Sequence, residues 1–310
     1  MTTIYMDSDG DDAVRRVRLY QGDILVYSPR PSTIALCDFA KAMIGEAFGG
    51  LDPTRAQYHM QVERFVEVFA PLKPRFIHNP RTKELIKGIL SALGCDLHET
   101  YIDVPRLRGV TSDGYLTSGV GFAHHPHRDT WYSAPMCQLN WWLPIYDFES
   151  ENSMAFHPRY WYEPVANDSS NFNYFEWNAD GRKNAAKSIK SDTRKQPRAA
   201  HPVEIEPQIR VVCKPGGIII FSGAQLHSTV PNTSGQTRFS IDFRTIHIGD
   251  VLAQTGAPNI DSNSPTTALR DFMRGTDLER MPDEVISLYE KQAIAGGEHI
   301  FRAEIGTEAS

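Results

Sequence analysis

From about Thr100 onward the chain breaks into short β-prone runs with no regular helix between them. The runs are ETYIDVPRLRGV, MCQLNWWLPIYDF, SMAFHP, IRVVCKP, GIIIFSG and TRFSIDFRTIHI, each set off by turn-forming residues. A parallel doubly wound sheet needs a helix in every crossover, so it does not fit this pattern. Many short strands in succession predict an antiparallel sandwich or jelly roll.

The flanks read differently. STIALCDFAKAMIGEAFGG carries an apolar stripe and stops at Gly49-Gly50. Asp52-Pro53 then opens a second predicted helix, TRAQYHMQVERFVEVF, and a third runs from Thr82 to Leu93. Residues 265–292 read as helical again. The 310 residues thus divide as one domain: a helical cover (1–99), a β core (100–250) and a C-terminal helical segment (251–310). An insertion at about 165–205 interrupts the core. Its basic stretch, GRKNAAKSIKSDTRKQPR, reads as a solvated excursion, with a lid over a pocket as the alternative. Its FNYFEW stretch is too apolar to leave in water and should dock, the pocket entrance being one candidate.

Composition bounds the function. A net charge of −6 argues against a protein that coats nucleic acid. The four cysteines show no C-x-x-C pair, so a reducing cytosol is the expected setting. The polar, acidic start MTTIYMDSDGDDAVRR is not a signal peptide, and no run approaches the ~18 apolar residues of a membrane span. The expected partner is a small-molecule substrate, with no nucleic acid and no membrane.

The chemistry concentrates in HPHRDTWY and, about 100 residues later, GGIIIFSGAQLHSTVPNTSGQTRFS. On a strand, residues two apart share a face, so His127 and Asp129 would point together and Arg128 away. His227 follows an apolar strand and should lie at its end or in the turn. Two His and one carboxylate can occupy one face of a metal and leave other positions open. His124 and His125 stand beside the motif and are read as neighbours rather than ligands. His157, His201 and His247 are read as ordinary core or surface histidines. Arg238 lies eleven residues past His227, across the turn-rich PNTSGQT. The chain can therefore reverse and bring it beside the metal, where a guanidinium can grip a carboxylate with two bonds. Ser240 shares its face. A structural salt bridge is the competing role for Arg238.

These residues resemble the Fe(II)/2-oxoglutarate-dependent dioxygenases, most closely the phytanoyl-CoA-hydroxylase-like branch. The likeness is carried by His127-x-Asp129 and by CKPGGIIIFSGAQLHSTVPNTSGQTRFS, over about residues 124–148 and 210–246. It implies a double-stranded β-helix (jelly roll), mainly β with flanking helices. It implies Fe(II) on His127, Asp129 and His227, with Arg238 on the distal carboxylate of 2-oxoglutarate. It also implies O2-driven oxidation of a substrate C–H bond, most simply hydroxylation, with release of succinate and CO2. The substrate could be a natural-product intermediate. Halogenating relatives have a small residue where the carboxylate stands, so Asp129 points to oxidation instead. The family's Pro-Gly-Ser-His stretch is absent; Phe156-His157-Pro158-Arg159 stands in the comparable place.

Rival readings are weaker. HRD is found in kinase catalytic loops, but the Asn expected five residues on is Ala134. A cupin-like metal isomerase or epimerase would usually show His where Asp129 stands. A non-catalytic jelly-roll module would not need the three ligands together with Arg238. Gln138, Asn140 and Trp142 alternate with Leu139, Trp141 and Leu143. Gln138 and Asn140 are therefore candidates for contact with 2-oxoglutarate or substrate, with bonding to neighbouring backbone as the equal alternative. Trp131, Tyr132, Trp161 and Tyr162 are read as core first and pocket wall second. Arg106, Arg108 and Arg159 are read as surface arginines, an anionic substrate group being the alternative.

Overall fold

The computed structural model describes residues 2–116, 125–178 and 195–290. The N-terminal cover is helical, but it also contributes two strands. β1 (Ile4–Met6), α1 (Asp12–Tyr20) and β2 (Ile24–Tyr27) precede α2 (Pro31–Phe48). Pro31 occupies the first turn of α2, and Gly49 ends it at φ 61°, a conformation in which a Cβ is penalised. The expected second helix is split into a single turn, Ala56–Tyr58, and α3 (Val62–Phe69). Gln57 lies at the break. Its buried amide donates to the Ser112 carbonyl and accepts from the Ser112 amide and the Thr237 hydroxyl. These long-range bonds override a local helical preference. α4 (Leu72–His78) follows, and α5 (Pro80–Ala92) is the third predicted helix.

The core strands are β3 (Thr100–Ile102), β4 (Arg106–Val110), β5 (Leu139–Pro144), β6 (Met154–Phe156), β7 (Ile209–Arg210), β8 (Ile218–Ser222), β9 (His227–Thr229) and β10 (Arg238–His247). α6 (Tyr174–Glu176) falls within the insertion, and α7 (Ile248–Leu252) follows β10. The large sheet runs β1-β2-β8-β5-β10-β3, with β4 also on β10, and ends in β11 (Met273–Arg274). The small sheet is β7-β6-β9, extended by a bridge between His127 and His227. Along the chain, β4, β5, β8 and β10 enter the large sheet, while the His127 segment, β6, β7 and β9 enter the small one. This crossing between two facing sheets is a jelly roll.

The period of two decides what each face of the large sheet meets. Leu139, Trp141 and Leu143 pack with Ile218, Ile220, Phe239, Ile241 and Phe243 against the helices, reaching Leu36, Phe65 and Ile86. The alternate residues Trp142, Ile219 and Phe221 meet Phe156 of the small sheet. The Phe156 and Phe221 rings lie 4.9 Å apart. At one end of this inner face the residues turn polar, and the site forms there.

The C-terminal stretch departs from the helical expectation. It holds a turn at Leu269–Asp271, β11 paired with β3, and only the short α8 (Asp283–Ser287). Pro265, Gly275 and Pro282 interrupt any longer helix. Its apolar residues Leu269, Phe272, Met281 and Val285 instead dock on Tyr101 and Ile246. Residues 291–310 lie outside the described residues, as does the centre of the basic insertion (179–194). Among the described residues no helix is long and apolar enough to cross a membrane.

Candidate metal centre

His127 and His227 face each other across the small sheet, each amide donating to the other's carbonyl at 3.0 Å. Paired antiparallel residues project to the same side, and the two rings lie 4.4 Å apart. Asp129 does not continue a strand, as the period of two had suggested. It opens a tight helical turn, Asp129–Tyr132, and its amide donates to the Gly223 carbonyl at 2.9 Å. That bond folds the carboxylate back beside the imidazoles. Gly223 permits the approach: a Cβ there would lie 3.1 Å from Gln138 Nε2 and 3.5 Å from Asp129 Cβ.

The donor atoms of His127, Asp129 and His227 all lie within 4.8 Å of one another, and all three residues are buried. No other such cluster of His, Cys, Asp or Glu occurs among the described residues. His127 Nδ1 lies 2.8 Å from the His125 carbonyl, and His227 Nδ1 lies 3.0 Å from the Gln225 carbonyl. A carbonyl only accepts, so each Nδ1 carries a proton, the arrangement in which Nε2 is the nitrogen available to a metal. His125 is engaged elsewhere, its Nε2 against the Pro197 carbonyl at 3.1 Å. His124 lies outside the described residues. His157 is a core residue, bonded to the Ile205 carbonyl and the Ser228 hydroxyl.

The electrostatics suit a cation. Burial, reinforced by the neighbouring His127, pushes His227 down to about 4, so its imidazole is neutral at pH 7. Burial alone would raise the Asp129 carboxyl. The Arg244 guanidinium and the two imidazoles outweigh it and hold Asp129 well below the usual carboxylate range.

Arg238 starts β10 and faces the same cavity, of about 540 Å3, as the three donors. It is 5% exposed and forms no ion pair among the described residues, which removes the structural salt bridge as its role. Its Nη1 donates to the Asn152 carbonyl at 2.7 Å, its guanidinium lies 5.4 Å from the Trp142 ring, and its Nε has no partner. Burial, with the nearby Arg108 charge adding, pulls it down to about 10. Ser240, two residues on, is fully buried with an unpartnered hydroxyl, though it does not line the cavity. Gln138 and Asn140 reach the cavity by different routes. Both N–H bonds of Gln138 are used, on Asp129 Oδ2 and on Asn140 Oδ1, each at 2.9 Å. Asn140 Nδ2 makes no bond to the described residues and faces the cavity.

The arginines and aromatics sort clearly. Arg106 and Arg108 line the cavity, paired with Asp103 and Asp242, whereas Arg159 is exposed and paired with Glu163. Tyr132 lines the cavity edge-on to His127, with ring centres 5.4 Å apart. Trp131 and Trp161 are core, and Tyr162 is exposed. FNYFEW does dock: Tyr174 and Trp177 line the cavity, and the Tyr174 hydroxyl donates to Asp271. Arg244 and Asp103 were not singled out from sequence. The signal for Arg244 was present in RFSIDFR, which puts Arg238, Ser240, Asp242 and Arg244 on one face of a single strand.

Burial holds His125, His157 and His227 all below the ordinary histidine value. The unfolded chain takes up these protons near pH ~6.5, the folded chain only at lower pH. Stability without metal is therefore fully present above about pH 6.5 and falls as the pH drops toward about 4. Unfolding free energies from urea titrations at about pH 7.5 and about pH 4.5, in chelator, should differ by more than a kcal/mol. A histidine that titrates one pH unit lower in the folded chain contributes ~1.4 kcal/mol to that difference. Equal stabilities would show that the histidines charge within the fold.

No family model matches the sequence, and no curated protein matches it. Solved structures that align with it include EvdO2 from Micromonospora carbonacea var. aurantiaca complexed with 2-oxoglutarate. That alignment has 15% identity, 56% of this chain, 62% of that chain and a TM-score of 0.37. The epimerase SnoN in complex with Fe3+, alpha ketoglutarate and nogalamycin RO aligns at 13% identity over 76% of this chain and 85% of that chain, TM-score 0.38. AviO1 from Streptomyces viridochromogenes Tue57 aligns at 13% identity over 81% of this chain and 100% of that chain, TM-score 0.38. The chain thus spans about three fifths of EvdO2's length. What makes this a candidate metal centre is the chain's own jelly roll, its three convergent donors and a buried guanidinium with no ion pair among the described residues.

Proposed function

We propose that the chain is an Fe(II)- and 2-oxoglutarate-dependent oxygenase that oxidises, most simply hydroxylates, a C–H bond of a small molecule. The observation that carries this reading is the convergence, in one cavity, of a His-Asp-His set with a buried arginine that has no counter-ion among the described residues. His127, Asp129 and His227 would hold iron through two neutral nitrogens and one carboxylate, a set that leaves positions open. Arg238 would take the distal carboxylate of 2-oxoglutarate, whose charge its unpartnered Nε and burial call for. Among the described residues Asn140 Nδ2, on the cavity wall, is the donor without a partner nearby, while the unpartnered Ser240 hydroxyl does not line the cavity. When bound, iron and 2-oxoglutarate supply the O2 chemistry, with succinate and CO2 as co-products.

The chain's own residues supply the rest. The Nδ1 bonds hold both imidazoles in the metal-binding tautomer. Tyr132, edge-on to His127, and Tyr174 and Trp177, which line the same cavity, would exclude water and orient the substrate. The cavity, at about 540 Å3, lies in the ordinary ~300–1,000 Å3 range of small-molecule sites.

The test is succinate formation by the purified chain with Fe(II), O2 and 2-oxoglutarate over a panel of small molecules. Substrate turnover without consumption of 2-oxoglutarate would favour a metal isomerase or epimerase instead. Asp129→Ala should weaken metal binding by more than the ~10–100-fold that changes beyond the ligands typically cost, and should abolish turnover. Full activity in that variant without added chloride or formate would sink the ligand assignment.

A further inference from the structure

We propose that Arg244 is a positioning residue of the metal centre: with Gln138 it occupies one oxygen of Asp129, so that the carboxylate meets the metal through the other alone. The inference rests on the metal reading above and goes beyond it by giving a role to residues that touch neither metal nor cosubstrate.

The two oxygens of Asp129 have different neighbours. Oδ2 accepts from Gln138 Nε2 at 2.9 Å and from Arg244 Nε at 3.3 Å. Oδ1 is turned toward the imidazoles, 3.5 Å from His127 Nε2. A carboxylate left to itself can rotate and give a metal both oxygens, which would consume a position that O2 or a cosubstrate needs. With Oδ2 held by two donors, that rotation is blocked.

Both donors are themselves fixed. The second N–H of Gln138 is committed to Asn140 Oδ1. Arg244 Nη1 donates to Asp103 Oδ2 at 3.2 Å, and the Arg244 amide donates to Asp103 Oδ1 at 2.8 Å. The Asp103 amide in turn donates to the Arg244 carbonyl at 3.0 Å, and Arg106 Nη1 reaches Asp103 Oδ2 at 2.7 Å. Arg244 also stands opposite Asn140 in the β10–β5 register. The guanidinium is therefore clamped by the β3–β4 connection on one side and spans to Asp129 on the other. Two arginines on one face of β10 divide the work. Among the described residues Arg238 is paired with no carboxylate, whereas Arg244 is paired with two and orients one of them.

The test uses the full chain and Co(II) alone, followed by titration and by its visible absorption. Arg244→Gln should bind Co(II) about 10–100-fold more weakly, the typical cost of losing a partner behind a ligand. Its band should also weaken and shift, because a second Asp129 oxygen joins the coordination sphere. Arg244→Lys keeps the charge and one donor but not the planar fork that spans two carboxylates. It should recover part of the affinity. Gln138→Met removes the uncharged donor from the same oxygen and should change the band in the same direction with a smaller loss. This variant carries the test if Arg244→Gln does not fold. Wild-type affinity and a wild-type band in folded Arg244→Gln or Gln138→Met would overturn the inference. Failure of the unaltered chain to bind Co(II) would instead overturn the metal reading and this inference with it, so the two failures are distinguishable.

Discussion

Arg238→Met should leave the ligand-free protein at least as stable as the unaltered chain while removing its response to 2-oxoglutarate. The two effects have one cause. A guanidinium taken out of water without a counter-ion is a standing cost to the fold. Among the described residues it is offset by one bond to the Asn152 carbonyl, a Trp142 ring 5.4 Å away and the Asp242 charge, which does not pair with it directly. Methionine keeps much of the volume and removes the charge. Once a dicarboxylate arrives, the same burial makes the pair strong, and truncating one partner of a buried charged pair costs about 2–5 kcal/mol. At ~1.4 kcal/mol per decade that is roughly 30-fold or more in apparent affinity. Melting curves with and without 2-oxoglutarate, in the presence of Mn(II), read both halves at once. A variant that melts well below the parent would make Arg238 a structural residue. One that is still stabilised by 2-oxoglutarate as the parent is would place the anchor elsewhere.

What could be read from sequence follows from what kind of order each element has. β5, β8 and β10 were legible because every second residue must face the helices, and Leu139, Trp141 and Leu143 announce that face while Gln138, Asn140 and Trp142 announce the other. The clustering of His127, Asp129 and His227 was legible because a facial metal set calls for particular side chains at particular intervals. Asp129 reached the right place by a route the spacing did not specify, through a tight turn pinned to Gly223 rather than through a strand. Residues 265–292 misled because Leu269, Phe272, Met281 and Val285 fall at three- to four-residue steps within each half of the segment. That spacing imitates a helix face, yet they bury against β3 and β10 in a largely irregular chain. The break after the Ala56–Tyr58 turn was invisible because the partners that hold Gln57 there, Ser112 and Thr237, lie 55 and 180 residues away. Arg244 was hidden for a related reason: its role depends on Asp103 and Asp129, which only the folded sheet brings to it.

Arg128→Met should be among the most destabilising single changes in the chain, although Arg128 is not a ligand. It lies between His127 and Asp129 in sequence and points the other way, as the alternation of side chains required, but into protein rather than water. It is 2% exposed. Its Nε meets both oxygens of Asp261 at 3.0 Å, its Nη1 donates to the Ala224 carbonyl at 2.7 Å, and its Nη2 donates to the carbonyls of Tyr160 and Glu163. Asp261 also accepts from Trp131 Nε1 at 2.7 Å and from the Val165 amide at 2.9 Å. One guanidinium thus fastens the Asp129–Tyr132 turn to the β8–β9 turn, to the 160–165 segment and to the C-terminal stretch. Removing one partner of a buried ion pair costs about 3–5 kcal/mol, because the other charge is left without compensation. Asp261→Leu should cost a similar amount. The double variant should cost clearly less than the two together, because no unpaired charge then remains. Urea denaturation of the four proteins closes this cycle. A loss below about 1 kcal/mol in Arg128→Met, the size of an ordinary surface ion pair, would show that the 127–132 turn is held in place by its backbone bonds alone.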